Sequence, residues 1–324
     1  MPCMRTVWRA AFAVALAATA GCSDTPIDVV GAPPNIAAMV TPELANQLDG
    51  DGHFRATYPP EPEPSEITEG QARELAAFWV SDLAKFVVSS LEEQHGGTIN
   101  VAALRDCGRI YYGRTPYEPL DAAVPASLKR AFGSWWYVPL CGGSTPQVLL
   151  FVSTESRGLI DWINGRSPSE PLGGHFRWAG IPDGAVAKRL LSPEEAVQSA
   201  WQLTGARASR QPELIVGEVG PIWAAWRVYT ERPVQVRKKQ SDRGTIVSAE
   251  FLVGRFYDSG AGGVLSWEPA SAVAASDQPT GRRFSYAPDP RNPSIQNQGL
   301  ARRRSDMPFR MILVEPATPM PRTP

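Results

Sequence analysis

Leu191-Ser-Pro-Glu-Glu-Ala-Val-Gln-Ser-Ala-Trp-Gln-Leu-Thr-Gly205, followed further on by Phe256-Tyr-Asp-Ser-Gly-Ala-Gly-Gly-Val-Leu-Ser-Trp267-Glu268, is the part of this chain from which the fold is read. Ser192 and Glu195 have capping-box spacing, in which each side chain satisfies a backbone N–H that the helix start leaves without a partner. Pro193 stands at the first helical position, where its missing N–H costs nothing. Ala196, Val197, Ala200 and Trp201 make an apolar stripe at helical spacing, and Gly205 ends it. Alternating and β-branched runs then predict strands over 213–219, 222–230, 246–257 and 263–268, the last two joined by a glycine-rich turn. The expected unit is one helix packed on an antiparallel sheet.

A similar plan lies earlier, over 67–163. Thr68 and Gln71 form a second capping box. Behind it Ala72, Leu75, Ala76, Trp79, Leu83, Phe86, Val87 and Leu91 recur at three and four residues, predicting one long amphipathic helix that Gly96 and Gly97 stop. Strands are expected over 98–104, 109–113, 134–140, 147–154 and 158–163. Both units end on matching pentapeptides, Gly158-Leu-Ile-Asp-Trp162 and Gly263-Val-Leu-Ser-Trp267, and the first is longer mainly because its helix is longer. Chance likeness between two helix-plus-hairpin units is the alternative to an internal repeat. Residues 164–190, rich in Gly and Pro, are expected to be a linker.

The opening "LSPEEAVQSA" and closing "FYDSGAGGVLSW" make 191–268 resemble a PepSY-type domain, and 67–163 resembles a fainter copy. The resemblance implies an α+β fold of two modules, each a helix laid on an antiparallel sheet (PepSY/cystatin-like). It also implies a non-catalytic role, since related segments in protease propeptides act as inhibitors or chaperones. This sequence departs from the family by a longer turn at 258–263 and a polar insertion around 231–244.

The head of the chain is an address. Arg5 and Arg9 precede an apolar run, Ala10 to Ala20, too short for a stable span, so 1–21 are expected to be a signal peptide. The run ends Leu16-Ala-Ala-Thr-Ala-Gly21-Cys22-Ser23, which resembles a bacterial lipobox with Cys22 as the lipidated residue. Thr19 departs from the aliphatic residue preferred there. Ordinary secretion with cleavage near Ala20 is the alternative. The resemblance implies a lipid-anchored protein of the cell envelope, on the outer membrane if the host has two, because Ser23 follows the cysteine. Residues 22–66 hold Pro33, Pro34 and the acidic proline run 59–64, and are expected to form an extended, solvated tether. Residues 269–324, proline-bearing and richer in arginine than in carboxylates, are expected to be a disordered basic tail, with docking of 310–314 as an added strand the alternative.

The whole chain of 324 residues is 43% hydrophobic with a net charge of −1, which suits packed cores and argues against a nucleic-acid partner. With Cys3 in the leader and Cys22 the lipid candidate, Cys107 and Cys141 are expected to pair as a disulfide in an oxidising compartment. No CxxC or histidine cluster accompanies them, so neither metal nor cofactor is expected.

Chemistry is sparse. His53, His95 and His175 are the only histidines. There is no HExxH, GxSxG or phosphate-cradling loop, and Asp258-Ser259-Gly260 suits an ordinary turn. An enzyme is not expected. A pocket gathering His175 with a carboxylate would favour a hydrolase; a closed surface would favour binding. Candidate binding residues are Trp135, Trp136, Trp223 and Trp226, with the basic group Arg237, Lys238 and Lys239. Because neighbours on a strand face opposite ways, Trp135 and Trp136 cannot share one core. The reading that follows is a non-catalytic, lipid-anchored envelope protein that binds a protein or peptide, with strand addition as the mode. The rivals are a protease inhibitor and an envelope hydrolase.

Overall fold

The helix that organises the chain forms as its caps require. Ser192 Oγ accepts from the Glu195 N–H at 3.2 Å, and the Glu195 carboxylate accepts from the Ser192 N–H at 2.7 Å. In the computed structural model, which describes residues 35–55, 65–119, 129–130, 132–170, 172–181, 190–217, 223–238, 244–255, 262–268, 301–303 and 310–316, the capped helix follows several other α-helices. They are α1 (Pro42–Ala45), α2 (Glu69–Phe78), α3 (Val88–His95) and, beyond them, α4 (Arg157–Ile163). The capped helix is α5 (Pro193–Thr204), and Gly205 closes it at φ +64°, a left-handed conformation that suits glycine.

The expected single helix after Thr68 is broken. Its capping box forms, with Thr68 Oγ1 accepting from the Gln71 N–H at 3.3 Å. After Phe78, however, a π turn (Trp79–Leu83) and a 3-10 turn (Ala84–Phe86) separate α2 from α3. The wider turn advances the buried face by one residue. Ala84 rather than Leu83 follows Trp79 into the core, and Phe86 is left 74% exposed.

The described strands are β1 (Arg105–Asp106), β2 (Tyr111–Arg114), β3 (Tyr117–Pro119), β4 (Ser134–Cys141), β5 (Pro146–Ser153) and β6 (Phe176–Gly180) in the first part. The second part adds β7 (Glu213–Gly217), β8 (Trp223–Lys238), β9 (Thr245–Arg255), β10 (Gly262–Glu268), β11 (Ala301–Arg303) and β12 (Arg310–Pro316). They form a mixed α and β structure around a mostly antiparallel sheet ordered β12-β10-β9-β8-β7-β2-β4-β5-β6, with β1 also on β4; β3 and β11 pair separately. Among the described strands of the large sheet, the parallel contact joins β2 to β7, with Gly113 opposite Leu214. At one end the sheet closes on itself, because β12 pairs with β10 through its first residues and with β8 through Val314, Glu315 and Pro316. Val234, Val236, Ile246, Phe251 and Val314 fill the interior of that closed end.

Helices cover the two faces of the sheet on opposite sides. Ala72, Leu75, Ala76 and Leu91 pack over Tyr112, Trp136, Val138, Val148 and Leu150. Ala196, Val197 and Ala200 of α5 pack over Tyr111, Trp135, Tyr137, Leu214 and Trp226. This explains why β4 is apolar at almost every position: it is buried on both sides.

Five sequence expectations are corrected. Part of the supposed tether is core: Ile36, Val40, Leu44, Leu48 and Phe54 are buried against α5 and β2, and each such side chain is worth about 1.5–3 kcal/mol. The proline run 59–64 lies outside the described residues. Residues 158–163, expected as a strand, belong to α4, so the two matching pentapeptides have different structures. Residues 98–104 hold a 3-10 turn instead of a strand. The expected linker contains β6 and the buried residues His175 and Ile181, and the expected disordered tail contributes β11 and β12. The signal peptide, Cys22 and the turn at 256–261 lie outside the described residues.

Cys107 and Cys141 form a disulfide, with Cα atoms 5.9 Å apart, across a separation of 34 residues. It ties the segment after β1 to the end of β4. No helix among the described residues is long and apolar enough to cross a membrane.

Candidate functional site

The aromatic residues singled out from sequence are structural where they can be placed. Trp135 is 0% and Trp136 3% exposed, each buried on its own face of β4. Trp136 Nε1 donates to the Ile67 carbonyl at 2.9 Å, and the buried Trp226 donates to the Leu191 carbonyl at 2.7 Å. Neither can stack on a ligand. The side chain of Trp223 and all of Lys239 lie outside the described residues. Arg237 is exposed and Lys238 half-buried on β8, where both also lie opposite β12, so their backbone is part of the closed end.

A second candidate surface lies at the other end of the sheet, where Phe176 is buried and Trp178 half-buried. Strand β6 pairs with β5 on one side and with no second strand among the described residues. Ser153 N–H donates to the His175 carbonyl at 2.9 Å and Ile181 N–H to the Gln147 carbonyl at 2.8 Å. With this register, His175, Arg177, Ala179 and Ile181 turn their backbone groups toward β5. Phe176, Trp178 and Gly180 turn theirs outward. The Gly180 N–H is capped by the Gln94 side chain of α3 at 2.6 Å, and α3 passes so close that a Cβ on Gly180 would lie 2.5 Å from the Leu91 carbonyl oxygen. The outward N–H and C=O groups of Phe176 and Trp178 have no hydrogen-bond partner among the described residues. Beside them Trp178 leans on Trp79 with ring centroids 6.0 Å apart, and Arg177 lies over the Trp135 ring at 5.8 Å. The edge is therefore short, rigidly backed and partly aromatic.

A buried polar cluster anchors the start of this strand. His175 and Ser156 are both 0% exposed. Ser156 Oγ lies 2.8 Å from His175 Nδ1, and His175 Nε2 lies 3.2 Å from Glu170 Oε1. A carboxylate only accepts, so Nε2 carries a proton; in the neutral ring the serine hydroxyl then donates to Nδ1. Arg130 reaches the same carboxylate at 3.6 Å and donates to the Gly173 carbonyl at 3.1 Å. Burial lowers the pKa of Arg130, and burial raises that of the neighbouring Glu155 carboxyl, with Arg130 opposing. The order serine, histidine, carboxylate has the components of a nucleophilic triad. Yet Ser156, the residue that caps the start of α4, is fully buried, and none of the three residues lines the surface cavity beside α2 or the one beside Cys107 and Cys141. Sequence reasoning placed His175 in a linker and missed its partners, because Ser156 and Glu170 meet it only through the fold. The other histidines serve as ties: His53 lies 3.6 Å from Glu194, and His95 bonds the Ile181 carbonyl.

No group of three or more potential metal ligands gathers among the described residues. Comparison of the chain with protein-family models, with curated proteins and with solved structures finds no match.

Proposed function

We propose that this is a non-catalytic binding protein of the cell envelope, held to the membrane by a lipid on Cys22, that takes an extended segment of a partner protein alongside β6. The observation that carries the reading is the outward backbone of Phe176 and Trp178, which has no hydrogen-bond partner among the described residues, at the β6 end of the long sheet order. An added strand gains main-chain hydrogen bonds there and side-chain contacts from Trp178 and Arg177. The shortness of β6 and the charge of Arg177 guard it against indiscriminate pairing. In this reading the chain comprises two related PepSY-like modules. The parallel contact of β2 with β7, and the placing of α2 and α5 on opposite faces, are what a two-fold relation along the strands would give. A protease is one class of partner such an edge would suit, which keeps inhibition within the same proposal.

The test uses a peptide selected from a displayed library on the purified protein. Trp178→Ala removes the indole and keeps the outward N–H, whereas Trp178→Pro also removes that N–H while leaving the bonds to β5 intact. Binding that survives in the alanine variant and is lost in the proline variant supports strand addition. Equal binding by both sinks it.

The Ser156–His175–Glu170 chain favours a second reading, an envelope hydrolase. The burial of Ser156 and His175 supports the binding reading instead, since a nucleophile must reach its substrate. Labelling of Ser156 by a serine-directed fluorophosphonate would reverse that preference.

A further inference from the structure

The broken helix builds a second concave surface on the far side of α2 from its caps. A cavity of about 520 Å³ lies between the π turn and residues 101–106, within the size range of small-ligand sites. Ala77, Val80, Val101 and Ala102 form its accessible apolar wall, with Ala76, Leu104 and Leu140 buried behind them, and Lys85 and Arg105 also line it. Asp106 is the only carboxylate among the lining residues, and it is already ion-paired with Arg73, which also holds Glu69 at 2.9 Å. Arg105 donates to the Ala102 and Leu104 carbonyls, at 2.9 and 2.5 Å, which fixes its guanidinium without neutralising it. Lys85 lies over the exposed Phe86 ring at 5.2 Å and has no carboxylate partner among the described residues.

The π turn is what makes this surface. By advancing the buried face one residue, it leaves Val80 and Ser81 to line the cavity and carries Lys85 to its mouth. Such insertions cost helix geometry and recur at functional sites. An apolar wall with two unneutralised cations at one side selects an apolar chain ending in an anion. We infer that this cavity binds a single-chain amphiphile with an anionic head, its alkyl chain against Ala77, Val80, Val101 and Ala102 and its head at Lys85 and Arg105.

The experiment is calorimetric titration of the purified protein with octanoate, decanoate and dodecanoate, each below its micelle concentration. Dodecyl phosphate, dodecanol and dodecyltrimethylammonium complete the set. The expected result is one site per chain, with affinity rising up to about fourfold per methylene until the wall is covered. The neutral and cationic compounds should bind at least about tenfold more weakly, a difference of about 1.4 kcal/mol. A preference between dodecanoate and dodecyl phosphate separates a fatty-acid head from a lipid-phosphate head, and either supports the site. Lys85→Gln with Arg105→Gln should weaken dodecanoate binding about tenfold. Ala77→Phe, at an exposed lining position that contributes nothing to the core, should block it while leaving the unfolding transition unchanged. Failure of every anion to bind, or binding indifferent to both variants, overturns the inference.

Discussion

Replacing Glu194 tests whether the 35–55 segment is an integral part of the fold. Glu194 is the second helical residue of α5, and its side chain is 6% exposed. Its Oε1 accepts from the Phe54 N–H at 2.9 Å and, with Oε2, from Arg109 at 3.2 and 3.3 Å. Arg109 also donates to the Phe54 carbonyl at 3.3 Å and lies over the Tyr111 ring. One carboxylate thus joins the N-terminal segment, β2 and α5. Glu194→Ala strands the buried Phe54 N–H, at a cost of about 1–3 kcal/mol. The ion pair adds less than a fully buried one, because the Arg109 side chain is 42% exposed and water screens it. A loss of about 2–3 kcal/mol is expected, with a fall in Tm of about 2–4 °C for each kcal/mol. Glu194→Gln keeps an acceptor for Phe54 and should lose about 1 kcal/mol. Urea unfolding gives the stabilities, and hydrogen exchange at the Phe54 amide reports the segment directly. Exchange should accelerate in Glu194→Ala and much less in Glu194→Gln. Unchanged stability within about 0.5 kcal/mol, with unchanged exchange, would refute the clamp.

Two further outcomes follow from the same structure. Replacing Cys107 and Cys141 together by serine opens the 34-residue loop and should lower stability by up to about 4 kcal/mol on the chain-entropy account, as measured by urea unfolding. Burial pushes the Tyr112 phenol up to about 12, with the Ser134 hydrogen bond opposing and the Glu66 carboxylate, 3.2 Å from its hydroxyl, adding to the rise. A raised acid pKa means that the folded state holds the proton more tightly, so the unfolded chain ionises first. Stability from this residue is intact below about pH 10 and is lost between about pH 10 and 12. Tyr112→Phe should flatten that part of the stability profile.

What was legible in the sequence was local. Both capping boxes, the strands of the meanders and the disulfide follow from nearest-neighbour chemistry, and each forms. Errors arose where a tertiary contact outweighed a local signal. Ile36, Val40, Leu44 and Leu48 recur at every fourth residue, a helical signal that the flanking prolines obscured. Gly158-Leu-Ile-Asp-Trp162 resembles a strand, but its β-branched content is low and the turn before it feeds a helix that buries Leu159 and Ile160. The π turn has no sequence signature; Phe86 fits the apolar period yet is expelled because one extra residue is accommodated before it. The Trp135–Trp136 pair posed the correct question, since one face could not bury both. The answer lay in covering both faces of the sheet, the second by α5 together with the segment taken for a tether. The edge at β6 was hidden for the same reason: an edge is defined by which strand has no neighbour, and that is a property of the whole sheet order.

Residue-resolved hydrogen exchange along β6 tests the central claim most directly, because it reads the open edge before any partner is known. The account predicts alternation in the free protein: slow exchange at Arg177, Ala179 and Ile181, whose amides bond to β5, and at Gly180, capped by Gln94. Phe176 and Trp178 should exchange fast, and should slow only when a peptide ligand is added. Protection of the Trp178 amide in the free protein, or fast exchange that a bound peptide leaves unchanged, would contradict it.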